Sequence, residues 1–151
     1  MFGLFGKNFS KTVEKVIGSK EEKKIYTGAK LKEVKQSGRQ TLQRTDIDFN
    51  KREPWEGTVH RTNLERMKIG YAPLDRDGNP IELHHVGQKP NGPIAELRHS
   101  EHRGAGNAGI LHKNNSKGSE FYGENNRKNW NKTKKQYWID RAKAYEDSKK
   151  K

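Results

Sequence analysis

The chain has 151 residues, a formal net charge of +13, 28% hydrophobic residues and no cysteine. That length suits one domain with an appended segment, and so low an apolar fraction allows only a small core. Disulfides, thiolate metal sites and thiol nucleophiles are excluded, and no run approaches the ~20 apolar residues of a membrane-spanning helix. The apolar start, Met1-Phe2-Gly3-Leu4-Phe5-Gly6, is too short for a signal-peptide core and no basic region precedes it. Charge is unevenly spread: residues 1–50 hold 11 basic and 6 acidic side chains, 51–112 hold 9 and 8, and 113–151 hold 12 and 5. Basic flanks around a balanced centre suit a polyanion gripped at its edges, although solvated lysine-rich faces give the same count.

In chain order, Phe9, Val13, Val16 and Ile17 recur at helical spacing, and the pattern predicts a thin-striped helix over 8–36, interrupted near Gly18-Ser19. Residues 37–50 are polar and read as irregular. Residues 1–48 thus form a basic helical arm or linker, and the compact domain spans 49–151. Thr62-Asn63-Leu64-Glu65-Arg66-Met67 predicts a short helix ended by Gly70. The stretch from Ala72 to Pro80 is turn chemistry, with Asp77-Gly78 as its strongest signal. Strands follow at 81–86 and 94–97, separated by the Lys89-Pro90-Asn91-Gly92-Pro93 turn. Ser100 reads as the N-cap of a helix holding Glu101 and His102 and limited by Gly104 and Gly106. No element is predicted over 113–126. A last helix over 129–149 presents Trp130, Tyr137, Trp138, Ala142 and Tyr145, a stripe suited to docking on a core.

Five of the six histidines, His84, His85, His99, His102 and His112, fall within 84–112. Adjacent histidines on a strand point to opposite faces, so His84 and His85 can do different work. Imidazole both ligates metals and moves protons near neutral pH. His60 stands apart and reads as structural or solvent-exposed.

The run from Asp75 through Ile81-Glu82-Leu83-His84-His85-Val86-Gly87-Gln88 resembles the signature of the LHH nucleases of the HNH/endonuclease VII superfamily. Gly92-Pro93-Ile94-Ala95-Glu96-Leu97, Glu101-His102-Arg103-Gly104, Asn107 and Leu111-His112 are similar to that family in order and spacing. Residues 62–67 and 137–142 resemble further family segments, and the likeness covers roughly 49–145.

The resemblance implies an α+β protein with a ββα-metal (His-Me finger) core, the helical arm before it and the long helix after it. It also implies a metal-dependent endonuclease, commonly the toxic domain of a bacterial polymorphic toxin. DNA is the expected substrate, with RNA open, and a cognate, acidic immunity protein is the expected partner. The expected setting is a secreted or delivered effector acting in a target cell's cytoplasm and held inactive in its producer. By this analogy His85 is the general base, and His84, His102 and His112 ligate one divalent metal, with magnesium, manganese, zinc and nickel all admissible. Asn107 would orient His85 or touch substrate. Gln88, Arg98, Arg103 and Lys113 would hold phosphates, arginine being suited to bidentate contact. His99 lies outside the pattern. Trp130, Tyr137 and Trp138 could stack on bases, but their spacing favours core packing. A non-enzymatic nucleic-acid-binding protein with a structural metal is the rival from another class.

Overall fold

The computed structural model describes residues 20–88, 92–104, 106–111 and 124–150. The chain divides into two compact units, one joining the described residues up to Thr45 with those from Glu82 to Leu111, the other joining Asp46–Ile81 with the C-terminal helix.

The first unit begins with helix α1 (Lys20–Gly28), followed by strands β1 (Lys32–Gln36) and β2 (Arg39–Gln43). Gln36 pairs with Arg39 across the two-residue loop Ser37-Gly38, where φ is 52° and 80°. Two successive positive φ values match the twist of a tight hairpin, and glycine takes the second without a Cβ clash. Strands β3 (Glu82–His85) and β4 (Ile94–Leu97) complete a four-stranded sheet in the order β1-β2-β4-β3. The β3–β4 pair is antiparallel, whereas β2 and β4 run parallel through Thr41–Ile94 and Leu42–Ala95. As a central strand, β4 is buried at all four positions. Helices α2, in the second unit (Asn63–Lys68), α3 (His99–Arg103) and α4 (Asn107–Leu111) are each short. The apolar core of the first unit gathers Tyr26, Leu31, Leu42, Val86, Ala95, Leu97 and Leu111.

Two expectations are corrected here. The helix anticipated across 8–36 is, among the described residues, confined to Lys20–Gly28, and a hairpin replaces the rest of it and part of the irregular 37–50 stretch. Residues 20–45 are therefore no separate arm, because they give the sheet two of its four strands. The physical reason is that Lys32-Glu33-Val34-Lys35-Gln36 has almost no apolar alternation. Its strand character comes from the tight turn and from pairing with β2, which pairs with β4 more than fifty positions downstream. The N-terminal part of the anticipated helix, including Phe9, Val13, Val16 and Ile17, lies outside the described residues.

The second unit packs α2 against the long helix α5 (Glu124–Lys149), which starts earlier than its aromatic pattern indicates. Thr62 caps α2, its hydroxyl accepting from the Glu65 N–H at 3.1 Å while the Glu65 carboxylate accepts from the Thr62 N–H at 2.8 Å. This reciprocal box satisfies two otherwise orphaned donors. Asn63, fully buried, ties three strands of chain together: its amide donates to the Asp48 and Leu74 carbonyls and accepts from the Leu74 N–H. The predicted turn forms around Asp75, whose carboxylate accepts from the N–H groups of Asp77 and Asn79. Trp130, Tyr137, Trp138 and Ala142 on α5 are all buried, so the stripe serves packing rather than base stacking. Tyr145 stacks on Phe49 with ring centroids 3.7 Å apart. His60 is exposed, with its Nδ1 2.8 Å from the Glu53 carbonyl.

Candidate active site on strand β3 and helix α3

Strand β3 reads Glu82-Leu83-His84-His85, and its two-residue period puts Glu82 and His84 on one face and His85 on the other. Both imidazoles are buried, His84 completely. The strand ends in the turn Val86–Gln88, where Gly87 takes φ 67°, a conformation that favours glycine.

Helix α3 brings His102 to the Glu82–His84 face. The His84 and His102 ring centroids lie 5.1 Å apart with the planes inclined at 58°. Nδ1 of His102 is 2.6 Å from Glu82 Oε1, and Nδ1 of His99 is 2.8 Å from Glu82 Oε2. One carboxylate thus holds two imidazoles of α3, and Arg103 Nε stands 3.9 Å from it. Burial pushes the His102 pKa down to about 4; the bond to Glu82 works against this, and the neighbouring His84 and Arg103 reinforce it. His102 is accordingly neutral at neutral pH and donates from Nδ1 to an ionised Glu82, which leaves the lone pair on Nε2. Burial alone would raise the Glu82 pKa, but its bonds to His99 and His102 hold it below the usual carboxylate range.

Behind His84 stands Glu22 of α1, buried, with Oε2 at 3.5 Å from His84 Nε2. The same oxygen accepts from the Tyr26 hydroxyl at 2.5 Å and from the Gly87 N–H at 3.0 Å. Desolvation would raise the Glu22 pKa, yet these three neighbours outweigh it and hold the pKa below the ordinary value. Burial, together with the Glu22 charge, keeps the Tyr26 phenol protonated well above its usual range.

The start of α3 is built differently from the sequence expectation. Arg98, not Ser100, is the N-cap, and its N–H donates to the Glu101 carboxylate at 2.7 Å. Arg44, at the end of the hairpin, grips that carboxylate with both terminal nitrogens, at 2.5 and 3.3 Å. The Arg44 N–H also donates to the fully buried Glu96 at 2.8 Å. Gly104 closes the helix with its N–H on the Ser100 carbonyl. A Cβ there would stand 2.5 Å from that carbonyl oxygen.

The structure therefore brings together His84 and His102 among the anticipated metal ligands, with Arg103 beside them and Arg98 at the N-cap of α3. Asn107 does not reach His85; its side-chain amide donates to the Glu101 carbonyl at 2.8 Å, fastening α4 to α3. That correction follows from the short loop, which leaves the first residue of α4 against the last turn of α3. His112 and Lys113, and the side chain of Gln88, lie outside the described residues. Among the described residues no three histidine or carboxylate side chains converge on a point suited to a metal ion. The sequence reading missed Glu82, Glu22 and the Arg44–Glu101 clamp, and it set His99 aside although His99 shares Glu82. Only Glu82 left a local signal, standing two residues before His84 on the same strand face.

An antiparallel pair with two adjacent histidines is thus followed by a helix that returns a third histidine to the face of the first. Residues 62–144 match LHH, described as a nuclease of the HNH/ENDO VII superfamily with conserved LHH. The chain belongs to this family. Its substrate class is nucleic acid, and nucleases of the superfamily are generally metal-dependent. No solved structure matches the chain. Among the described residues no helix is long and apolar enough to cross a membrane.

Proposed function

We propose that this chain is a metal-dependent endonuclease that cuts DNA and acts as a bacterial toxin. The single observation behind the metal-dependent part is the pairing of His84 with a neutral, carboxylate-backed His102 at 5.1 Å. Metal-ligating histidines characteristically give their other ring N–H to a carboxylate, which is the relation of His102 to Glu82. The donor chemistry fits a divalent ion of the magnesium, manganese, zinc or nickel kind, held by His84 and His102 together with His112 from beyond the described residues. Such an ion, when bound, neutralises phosphoryl oxygens and stabilises the departing oxyanion. His85, on the other face of the same strand, takes the proton from the attacking water. Arg98 and Arg103, at the two ends of α3, hold the phosphates on either side of the cut, with Gln88 and Lys113. Asn107 acts by fixing α4 against α3.

The toxin reading rests on the likeness to polymorphic-toxin domains. A net charge of +13 supports an acidic immunity protein as the partner that restrains the enzyme in its producer. Delivery as an effector to a target cell's cytoplasm belongs to the same reading.

Plasmid DNA and total RNA, each incubated with the protein with and without a chelator, test the proposal. Chelator-sensitive cleavage of DNA is the expected result. Cleavage of RNA alone would move the substrate to RNA, and no cleavage would leave a binding protein. His85→Ala should lower turnover by roughly 10²–10⁴-fold while metal affinity persists, and His84→Ala should weaken the metal itself.

A further inference from the structure

We propose that Glu22 is a positioning residue for His84. It fixes the imidazole as the Nε2–H tautomer, so that Nδ1 keeps the lone pair with which His84 can hold a metal. The inference rests on the reading of His84 as a ligand, and it brings a residue outside the family match of 62–144 into the site.

The geometry is closed from two sides. Tyr26, four residues after Glu22 on the same face of α1, is fully buried in the core and donates to Oε2 at 2.5 Å. Gly87, in the turn that immediately follows β3, donates to the same oxygen at 3.0 Å. The carboxylate is thus tied both to the core and to the end of the strand that presents His84. Its distance of 3.5 Å from His84 Nε2 is therefore set by two independent anchors rather than by the imidazole. Nε2 makes no hydrogen bond to that oxygen, so the hold is electrostatic: a carboxylate oxygen 3.5 Å away favours a proton over a lone pair on the nearer ring nitrogen.

The comparison with His102 strengthens the point. There the carboxylate of Glu82 faces Nδ1, so the lone pair falls on Nε2. The two neighbouring rings are backed by carboxylates on opposite ring nitrogens. Each therefore offers one defined nitrogen, His84 through Nδ1 and His102 through Nε2. Outer carboxylates of this kind orient the ring and raise its basicity, and losing one weakens metal binding by roughly 10–100-fold.

Long-range ¹⁵N–¹H correlation spectra of the metal-free full chain read the tautomer directly. The wild type should show His84 as Nε2–H, and a dominant Nδ1–H form would overturn the proposal. Tyr26→Phe removes one anchor but keeps the carboxylate, so the Nε2–H form should persist. Adding Glu22→Leu to that variant removes the acceptor while leaving no buried hydroxyl behind, and His84 should become a tautomer mixture. Retention of the single Nε2–H form in the double variant would also overturn the proposal. Glu22→Gln keeps an acceptor oxygen and should restore the wild-type tautomer, which a purely space-filling role for Glu22 does not demand. Zinc titrated into the Tyr26→Phe protein should bind roughly 10–100-fold more tightly than into the double variant. The ligand reading fails by a different result, an unchanged zinc affinity in His84→Ala, and that leaves the tautomer measurement standing.

Discussion

Glu22 in the first unit and Glu53 in the second are buried to nearly the same degree, 4% and 3% exposed, and they do opposite work. Glu53 faces permanent cations: Arg66 Nη1 at 2.6 Å and Arg61 Nη1 at 3.6 Å, with the Arg61 N–H at 3.1 Å. Arg66 in turn lies over the rings of Trp55 and Tyr71, so the pair holds an aromatic surface together. Glu22 faces a phenol, a backbone amide and an imidazole. A carboxylate among guanidiniums needs its charge, because its partners are charged at every ordinary pH. A carboxylate that accepts from a phenol and a backbone amide beside an imidazole works chiefly through its acceptor geometry, and that geometry can set the state of the ring.

The largest expected effect breaks this comparison at its charged end. Glu53→Gln removes the counter-charge of a guanidinium that is itself largely buried, and should cost about 3 kcal/mol in a urea unfolding experiment. Glu22→Gln keeps an acceptor for Tyr26 and Gly87 and should cost less than about 1 kcal/mol. Equal losses at the two sites would show that burial alone, and not the partners, decides the cost.

A second effect separates the units by pH. The folded-state pKa of His102 is about 4, below its ordinary 6.5, because burial penalises the imidazolium. The unfolded chain therefore binds the additional proton first. The contribution of His102 to stability is complete above pH 6.5 and is lost as pH falls from there towards 4, an order-of-magnitude loss of about 3 kcal/mol. Glu82, held below its usual range, withdraws its own contribution only at the acid end of that window. The carboxylate acceptor of Glu82 opposes the drift and Arg103 and His84 favour it, so the measurement belongs on metal-free protein. Unfolding midpoints of the wild type should fall across pH 6.5–4, and those of His102→Gln should fall less. Parallel curves would remove His102 as the titrating group.

These two tests also mark which parts were legible in the sequence. The β3–β4 pair, the turn before it, the short helix after Thr62 and the aromatic face of α5 are local patterns, each written within a few residues. The family signature around His84 and His85 is equally local. The hairpin is not, because Lys32–Gln36 is polar and becomes a strand only through partners elsewhere in the chain. Glu22 sits in a Lys/Glu-rich segment that reads as a solvated helix face, and nothing nearby in sequence marks it as buried. The contact of His99 with Glu82, seventeen positions away, is equally unmarked in the sequence around His99. Sequence patterns mark the histidines, while of the carboxylates beside them only Glu82 leaves a local trace.

The smallest effects compare the two short helices. Each has a glutamate three residues past its N-cap that accepts the N-cap backbone N–H, Glu65 for α2 and Glu101 for α3. Glu65 is exposed, its nearest cation is Arg52 at 4.0 Å, and the Thr62 hydroxyl completes the box. Glu101 is instead gripped by the buried Arg44. Glutamine serves as well as glutamate in a capping box, so Glu65→Gln should change stability by less than about 0.5 kcal/mol. Glu101→Gln breaks a charge-assisted, two-pronged contact to a buried guanidinium and should cost about 2 kcal/mol. It should also lower cleavage, because α3 carries His102 and its first turn would lose the hold that sets the ring against His84. If Glu101→Gln proved as silent as Glu65→Gln in both readouts, α3 would be positioned by Glu82 and its histidines alone, and the Arg44 clamp would have no part in shaping the site.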